Sequence, residues 1–392
     1  MPPALTLLTN YVMHILIAPN AFKNSLSAPD AAEAIRQGLL QSGLPCSLQC
    51  FPIGDGGDGT AELIIHHLNA RKIETETTDP LGRRINTFIG FSEESKTAII
   101  EMADSSGLKL LKTEEYNPLH ATSFGTGELI CTALDHGARK IILGIGGSAT
   151  VDGGCGILQA LGVRFLDQAQ KDLGVLPENL IHLDSIDVSG LDKRMLETEL
   201  IVLCDVDNFL LGETGAAAVF GPQKGASAQD VLLLEKALSK LRDVALLKTG
   251  HNMNTIRHGG AAGGTAAGLN VFLHARIKPG IEYFLDITEF DAALGTANLV
   301  ITGEGTIDLQ TLEGKGPFGV ARRARKKSIG VIGLAGTVSL DDQLQLSHYF
   351  DVILAIGHQP EDLNTAMEHT ALNLQHTAFQ IGNFLQLRLS LS

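Results

Sequence analysis

Two carboxylates sit inside a glycine loop in PIGDGGDGTAELIIHHL, Pro52 to Leu68. Gly54, Gly56 and Gly59 have the G-x-G-x-x-G spacing that brings a pyrophosphate onto a helix N-terminus. Asp55 and Asp58 would repel a naked phosphate there, but they would attract a divalent cation or the proton of an alcohol. Phosphoryl transfer calls for such parts: carboxylates that hold a metal, cations that meet the spreading charge, and a group at the attacking hydroxyl. Other loops supply more of them. Asp205 ends the apolar run LIVLCDV, and Glu304 and Asp308 lie in TGEGTID. These three are the metal-ligand candidates, while Asp55 and Asp205 are candidates for the catalytic group at the hydroxyl. The cations are Lys23 in APNAFKNSLS, Lys224 in FGPQKGA and Lys315 in LEGKGPFG, with Lys23 also placed in the catalytic set. Any one of these residues alone could be a turn cap or a surface charge. Together they form a constellation.

A rival reading rests on GIGGSATVDGG. Gly144, Gly146 and Ala149 fit G-x-G-x-x-A after a strand, and Asp167 ends the next apolar run at roughly the 20-residue spacing of the dinucleotide fingerprint. An NAD(P)-dependent hydroxy-acid oxidoreductase is therefore one alternative. It lacks an evident His or Tyr–Lys pair near a strand end and leaves the aspartates of GDGGDGT without a task. A non-catalytic, two-lobed hydroxy-acid sensor is the other. No Walker A sequence is present, since Lys315 is followed by Gly316 rather than Ser or Thr. ATP would then bind on N–H nests and helix termini, with Gly146, Gly147, Ser148 and Lys224 as the expected nucleotide contacts.

Elements that could position these loops are legible along the chain. Short apolar runs alternate with helical patterns, which argues an α/β protein with mainly parallel sheets. HILIA at 14–18 reads as a strand, Ser27 as the N-cap of the next helix, and Thr60 as the cap of the helix after the glycine loop. KIETETTDPLGRRINTFIGF then alternates polar and apolar residues around a turn and reads as antiparallel ribbon. From about 288 the plain strand–helix alternation returns. The expected organisation is two α/β domains, one inserted in the other. Residues 13–72 plus 288–392 form a discontinuous Rossmann-like domain, and 73–287 form the inserted α/β domain with the ribbon. Residues 1–12 lack the basic region and cleavage site of a signal peptide. They read as a disordered extension before a start at Met13.

Composition limits the partners. The 392 residues carry a formal net charge of −14, which speaks against nucleic acid or an anionic membrane. An anionic substrate must accordingly be captured by local Lys, Arg and backbone N–H groups. Five cysteines without a C-x-x-C pair read as reduced thiols in a cytoplasmic protein. No apolar run approaches the ~18 residues of a membrane span.

As a set, IAPNAFKNSLSA, PIGDGGDGT, DPLGR, EMADSSGL, SFGTGELI, GIGGSATVDGG, CDVDN, FGPQKGA, AAGGTAAGL and VITGEGTIDLQTLEGKGPFGVA resemble the bacterial type II glycerate kinase family. The similarity runs in order from Ile15 across nearly the whole chain. It implies ATP- and Mg²⁺-dependent phosphorylation of D-glycerate by direct in-line transfer, usually at the 2-hydroxyl, with the 3-hydroxyl left open. It also implies two α/β domains, one inserted in the other. D-Glycerate is the expected small-molecule partner, and a homodimer is the one protein assembly considered. Asn20, Ser25 and Lys315 are the expected substrate contacts, beside Lys23. Asn20 stands where many members carry Asp, and Thr306 where Arg is common.

Overall fold

A computed structural model describes residues 13–339 and 341–391; the expectation about residues 1–12 lies outside them. In chain order the strands are β1 (Met13–Ile17), β2 (Cys46–Cys50), β3 (Arg71–Thr78), β4 (Arg84–Ser92), β5 (Thr97–Glu101), β6 (Lys140–Gly144), β7 (Arg164–Leu166), β8 (Ser185–Asp187), β9 (Glu199–Cys204), β10 (Arg276–Pro279), β11 (Leu299–Ile307), β12 (Gly330–Val338) and β13 (Val352–Ala355). The chain divides into two compact units. One comprises the chain up to Gly54 and from Phe284 onward, the other Asp55–Tyr283.

The first unit is built on a five-stranded parallel sheet in the order β13-β12-β11-β1-β2. Its central strands β1, β11 and β12 begin as apolar runs, as expected where helices cover a parallel sheet. Ile15 and Ile17 of β1 and Ile301 of β11 are wholly buried. The helix Ala28–Gln41 begins at Ser27, whose hydroxyl accepts from the Asp30 N–H, and it buries Ala31, Ile35 and Leu39. Gly38 lets this helix approach the helix Thr370–Leu391, where an added methyl would overlap the Gln375 carbonyl.

The second unit holds a six-stranded mixed sheet, order β10-β9-β6-β5-β4-β3. β10, β9, β6 and β5 are parallel, and β4 and β3 add the antiparallel ribbon at one edge. Ligands in such sheets bind beyond the carboxyl ends of the strands. That is where Glu101, the last residue of β5, lies, with the Gly146 loop and Asp205 following β6 and β9.

Three expectations need correction. The boundary falls after Gly54, not at 72/73, because the helix Thr60–His67 packs on β4, β5 and β6. Ile65 of that helix sits so close over Gly90 that a side chain there would collide with it. Thr60 is the first helical residue rather than the cap: Gly59, at φ 88°, precedes it, and the Thr60 hydroxyl accepts from the Gly56 N–H at 3.0 Å. Finally, β7 pairs with β8 in a separate two-stranded antiparallel sheet, so the run around Phe165 is no part of the six-stranded sheet.

Candidate active site

In the unit 55–283, Asp205 follows β9 directly, and its Oδ1 accepts from the Gly280 N–H at 3.0 Å. Burial pushes its carboxyl well above the usual range, and the Asp55 charge pushes it further; the N–H groups of Gly280 and Ile281 pull the other way. Gly56 makes the approach possible. At φ 97° it takes a backbone that favours glycine, and a Cβ there would come to 3.2 Å from Asp205 Oδ2. Asp55 Oδ1 accepts from Gly57 N–H at 3.2 Å, which bends the loop around the carboxylate. The sequence pair Asp55 and Asp205, 150 positions apart in number, is thus one acidic site.

Beside it the Gly146–Ser148 loop leaves β6. A Cβ on Gly146 would lie 2.7 Å from Gly57 Cα and 2.9 Å from the Gly56 carbonyl, so the two glycine loops touch backbone to backbone. Lys224 is buried, and its Nζ donates to Ser148 Oγ (2.8 Å) and to the Thr150 carbonyl (2.7 Å). Burial lowers its ammonium to about 7, against the pull of Asp152. Lys224 therefore shapes the loop from within rather than standing as a surface cation. Asp58 is exposed and paired to Lys109 at 2.9 Å, and the same Nζ reaches Asp104 at 2.7 Å. Burial would lower the Lys109 ammonium, but these carboxylates more than offset it and raise it.

The other unit carries the remaining candidates. Asn20 follows β1; its N–H donates to the Gly303 carbonyl, and its amide packs on Gly316, whose added Cβ would be 2.9 Å from Nδ2. Lys315 is the residue before the helix Gly316–Lys326. Lys23 is exposed, in the tight turn closed by the Phe22–Leu26 bridge. The Ser25 hydroxyl is committed elsewhere: it donates to the Met367 carbonyl at 2.7 Å and lies 2.6 Å from the Thr370 hydroxyl, fastening the start of the last helix. Glu304 and Asp308 meet at Thr311. The Thr311 hydroxyl donates to Glu304 Oε1 at 3.0 Å, and its N–H donates to Asp308 Oδ1 at 3.2 Å. Asp308 is the N-cap of the short helix Leu309–Glu313.

Among the described residues no three His, Cys, Asp or Glu side chains are grouped so as to hold a metal ion on their own. Two carboxylates do suit Mg²⁺, which keeps water and phosphate oxygens in its octahedron. Asp205 can supply one such donor, and the Asp55 charge beside it favours a cation there.

Comparison with known proteins places this geometry. A family model described as the Glycerate kinase family matches residues 15–386. The glycerate kinase of Bacillus subtilis is 44% identical over 96% of this chain and 98% of its own length. The glycerate 2-kinase of Escherichia coli K12 is 42% identical over 88% of this chain and 90% of its own. The chain belongs to the glycerate kinase family. The crystal structure assigned as a glycerate kinase 2 from Salmonella typhimurium LT2 superposes with a TM-score of 0.82 at 41% identity, covering 97% of this chain and all of that one.

Membership in the glycerate kinase family removes the dinucleotide alternative, and the geometry agrees. A Rossmann fingerprint runs from its strand straight into a helix that takes the pyrophosphate. Here the helix after Gly144 begins only at Cys155, and Asp167 accepts from Ala169 and Lys171 N–H groups in a turn. Around these loops stand residues that spacing did not single out. Glu101 and Lys109 stand beside the glycine loop, and Asp152, fully buried, collects the N–H groups of Ser123, Gly154 and Gly156. A carboxylate ending a strand, as in IIEMAD, was the available signal for Glu101. Among the described residues no helix is long and apolar enough to cross a membrane.

Proposed function

We propose that the protein transfers the γ-phosphoryl group of ATP to D-glycerate in line, giving 2-phosphoglycerate. The observation that carries this reading is the Asp55–Asp205 pair, two carboxylates brought together after strand ends at a standing electrostatic cost. The 2-hydroxyl is favoured because the Escherichia coli relative is named a glycerate 2-kinase.

Each group has a task. Asp205, held by the Gly280 and Ile281 N–H groups, would be the Mg²⁺ ligand, and the cation supplies charge neutralisation on the phosphate oxygens. Asp55 takes the proton of the attacking hydroxyl as its oxygen bonds to phosphorus and the bond to the ADP oxygen breaks. The backbone of Gly146, Gly147 and Ser148, stiffened by Lys224, cradles the nucleotide phosphates. In the other unit, Lys23, Asn20 and Lys315 are assigned to anion recognition. Glu304 is retained as a second metal-ligand candidate. Ser25 and Asp308 are left out, because both side chains are engaged in holding their own loops. Five unpaired thiols suit a reducing cytoplasm.

A coupled assay of ADP release tests the reading. Release that depends on D-glycerate, with 2-phosphoglycerate as the phosphorus-NMR product, is the expected outcome. Ligand binding without turnover would instead support the sensor alternative.

A further inference from the structure

Glu101 ends β5 in the middle of the second unit's sheet and is 4% exposed. Its Oε2 accepts from the Ala61 N–H at 2.9 Å. Ala61 lies in the first turn of the helix Thr60–His67, directly after the loop that carries Asp55 and Asp58. Gly59 offers that helix no side-chain cap, so the buried carboxyl from a neighbouring strand does the capping. The other oxygen, Oε1, is buried and has no hydrogen-bond partner. It stands over Gly144, where an added Cβ would come to 3.2 Å. A small cavity beside it is lined by Asp58, Ala61, Glu62, Asp104 and Lys109 as well as Glu101.

An ordinary structural cap would leave no buried oxygen unpaired, because such atoms are costly. We propose that Glu101 is a positioning residue for phosphoryl transfer, acting through the Ala61 N–H to fix the 55–59 loop that carries Asp55.

The charge state fits the geometry. Burial, with Asp104 and Asp58 facing it and against the pull of the Ala61 N–H and Lys109, pushes the Glu101 carboxyl up to about 8. At neutral pH it is mainly a neutral acid, a state that suits an oxygen without a partner. Above about pH 8 it becomes a third negative charge beside Asp58 and Asp104, with Glu62 also lining the cavity and Lys109 the cation in reach. The loop would then be pushed from its position and turnover would fall.

Two variants separate reach from charge. Glu101→Gln keeps the length and the acceptor for Ala61 N–H while deleting the charge. Glu101→Asp keeps the carboxyl but is one methylene too short. Measured by D-glycerate-dependent ADP release, the Gln variant is expected to keep kcat within about threefold of wild type and to lose the alkaline fall near pH 8. The Asp variant should lose at least about tenfold in kcat with KM for glycerate nearly unchanged. Melting curves check that both variants are folded. The reverse order, Asp active and Gln impaired, would overturn the proposal, as would two variants with the wild-type pH profile. The inference rests on the proposed role of Asp55. Wild-type kcat in Asp55→Asn would sink that role and this inference together, whereas an inactive Asp55→Asn with the wrong Glu101 ranking sinks only this one.

Discussion

The carboxylates of Glu304 and Asp308 meet at Thr311, whose hydroxyl and N–H donate to them. Those of Asp55 and Asp205 act on each other directly, and the charge of one raises the proton affinity of the other. Both pairs lie at or near the carboxyl ends of apolar strands, and as residue types they are interchangeable. The difference is in what neutralises them. A carboxylate shared with a cap contributes to loop order, whereas one held beside a like charge costs stability unless a cation arrives. Side chains kept at such a cost are where chemistry is expected, and a satisfied cap is where it is not.

The sharpest way to break this contrast is to neutralise one member of each pair. Asp205→Asn should lower kcat by at least ~10²-fold, the usual scale for a lost metal ligand or base. Asp308→Asn, which keeps a capping side chain, should stay within about threefold, since a cap is worth little to the reaction itself. Equal losses of activity in the two variants would erase the distinction.

Cation dependence comes next. Turnover should vanish in excess chelator and return with Mg²⁺. The ion should also raise the melting temperature of the wild type, because binding only the folded state stabilises it, while Asp205→Asn should show little of this rise. A shift of equal size in both proteins would place the ion elsewhere.

Stability against pH gives the sign of the cost. The Asp205 carboxyl is raised above its unfolded value, so its contribution is fully favourable below the unfolded value near 3.8 and is lost as pH climbs toward the folded one. In metal-free protein at pH 7, Asp205→Asn should therefore melt at the same temperature as wild type or higher, with the advantage shrinking toward pH 4. A variant that melts lower at pH 7 would mean that the carboxylate is structural, like that of Asp308.

The smallest expected effect belongs to Lys23, the exposed cation of the first unit. Lys23→Ala should lower kcat by roughly tenfold with little change in KM for glycerate, as for a group that meets charge developing in the transition state. A raised KM at unchanged kcat would assign it to the substrate carboxylate instead. Its melting curve should not move, because the side chain is exposed.

Much of the fold was legible in the residues because periodicity is local. Apolar runs such as HILIA and LIVLC, the Ser27 cap with Asp30, and the polar–apolar alternation of β3 and β4 each follow from a few neighbouring residues. The glycine loops and their carboxylates were equally visible, since close backbone approach demands glycine wherever it occurs. By itself, then, the sequence determined an α/β chain with mainly parallel sheets, the family, and a set of candidate groups on strand-end loops. It did not determine which candidates react. Ser25 and Asp308 read as site residues until their partners, Thr370 and the Thr311 N–H, appear; Glu101 reads as strand until it is seen capping a helix 40 positions earlier. The boundary after Gly54 was hidden for the same reason, since the helix Thr60–His67 is assigned by what Ile65 covers and not by its own pattern. Hydrogen-bond satisfaction, burial and the energy of facing charges depend on distances between segments far apart in the chain, and only the tertiary structure sets those distances.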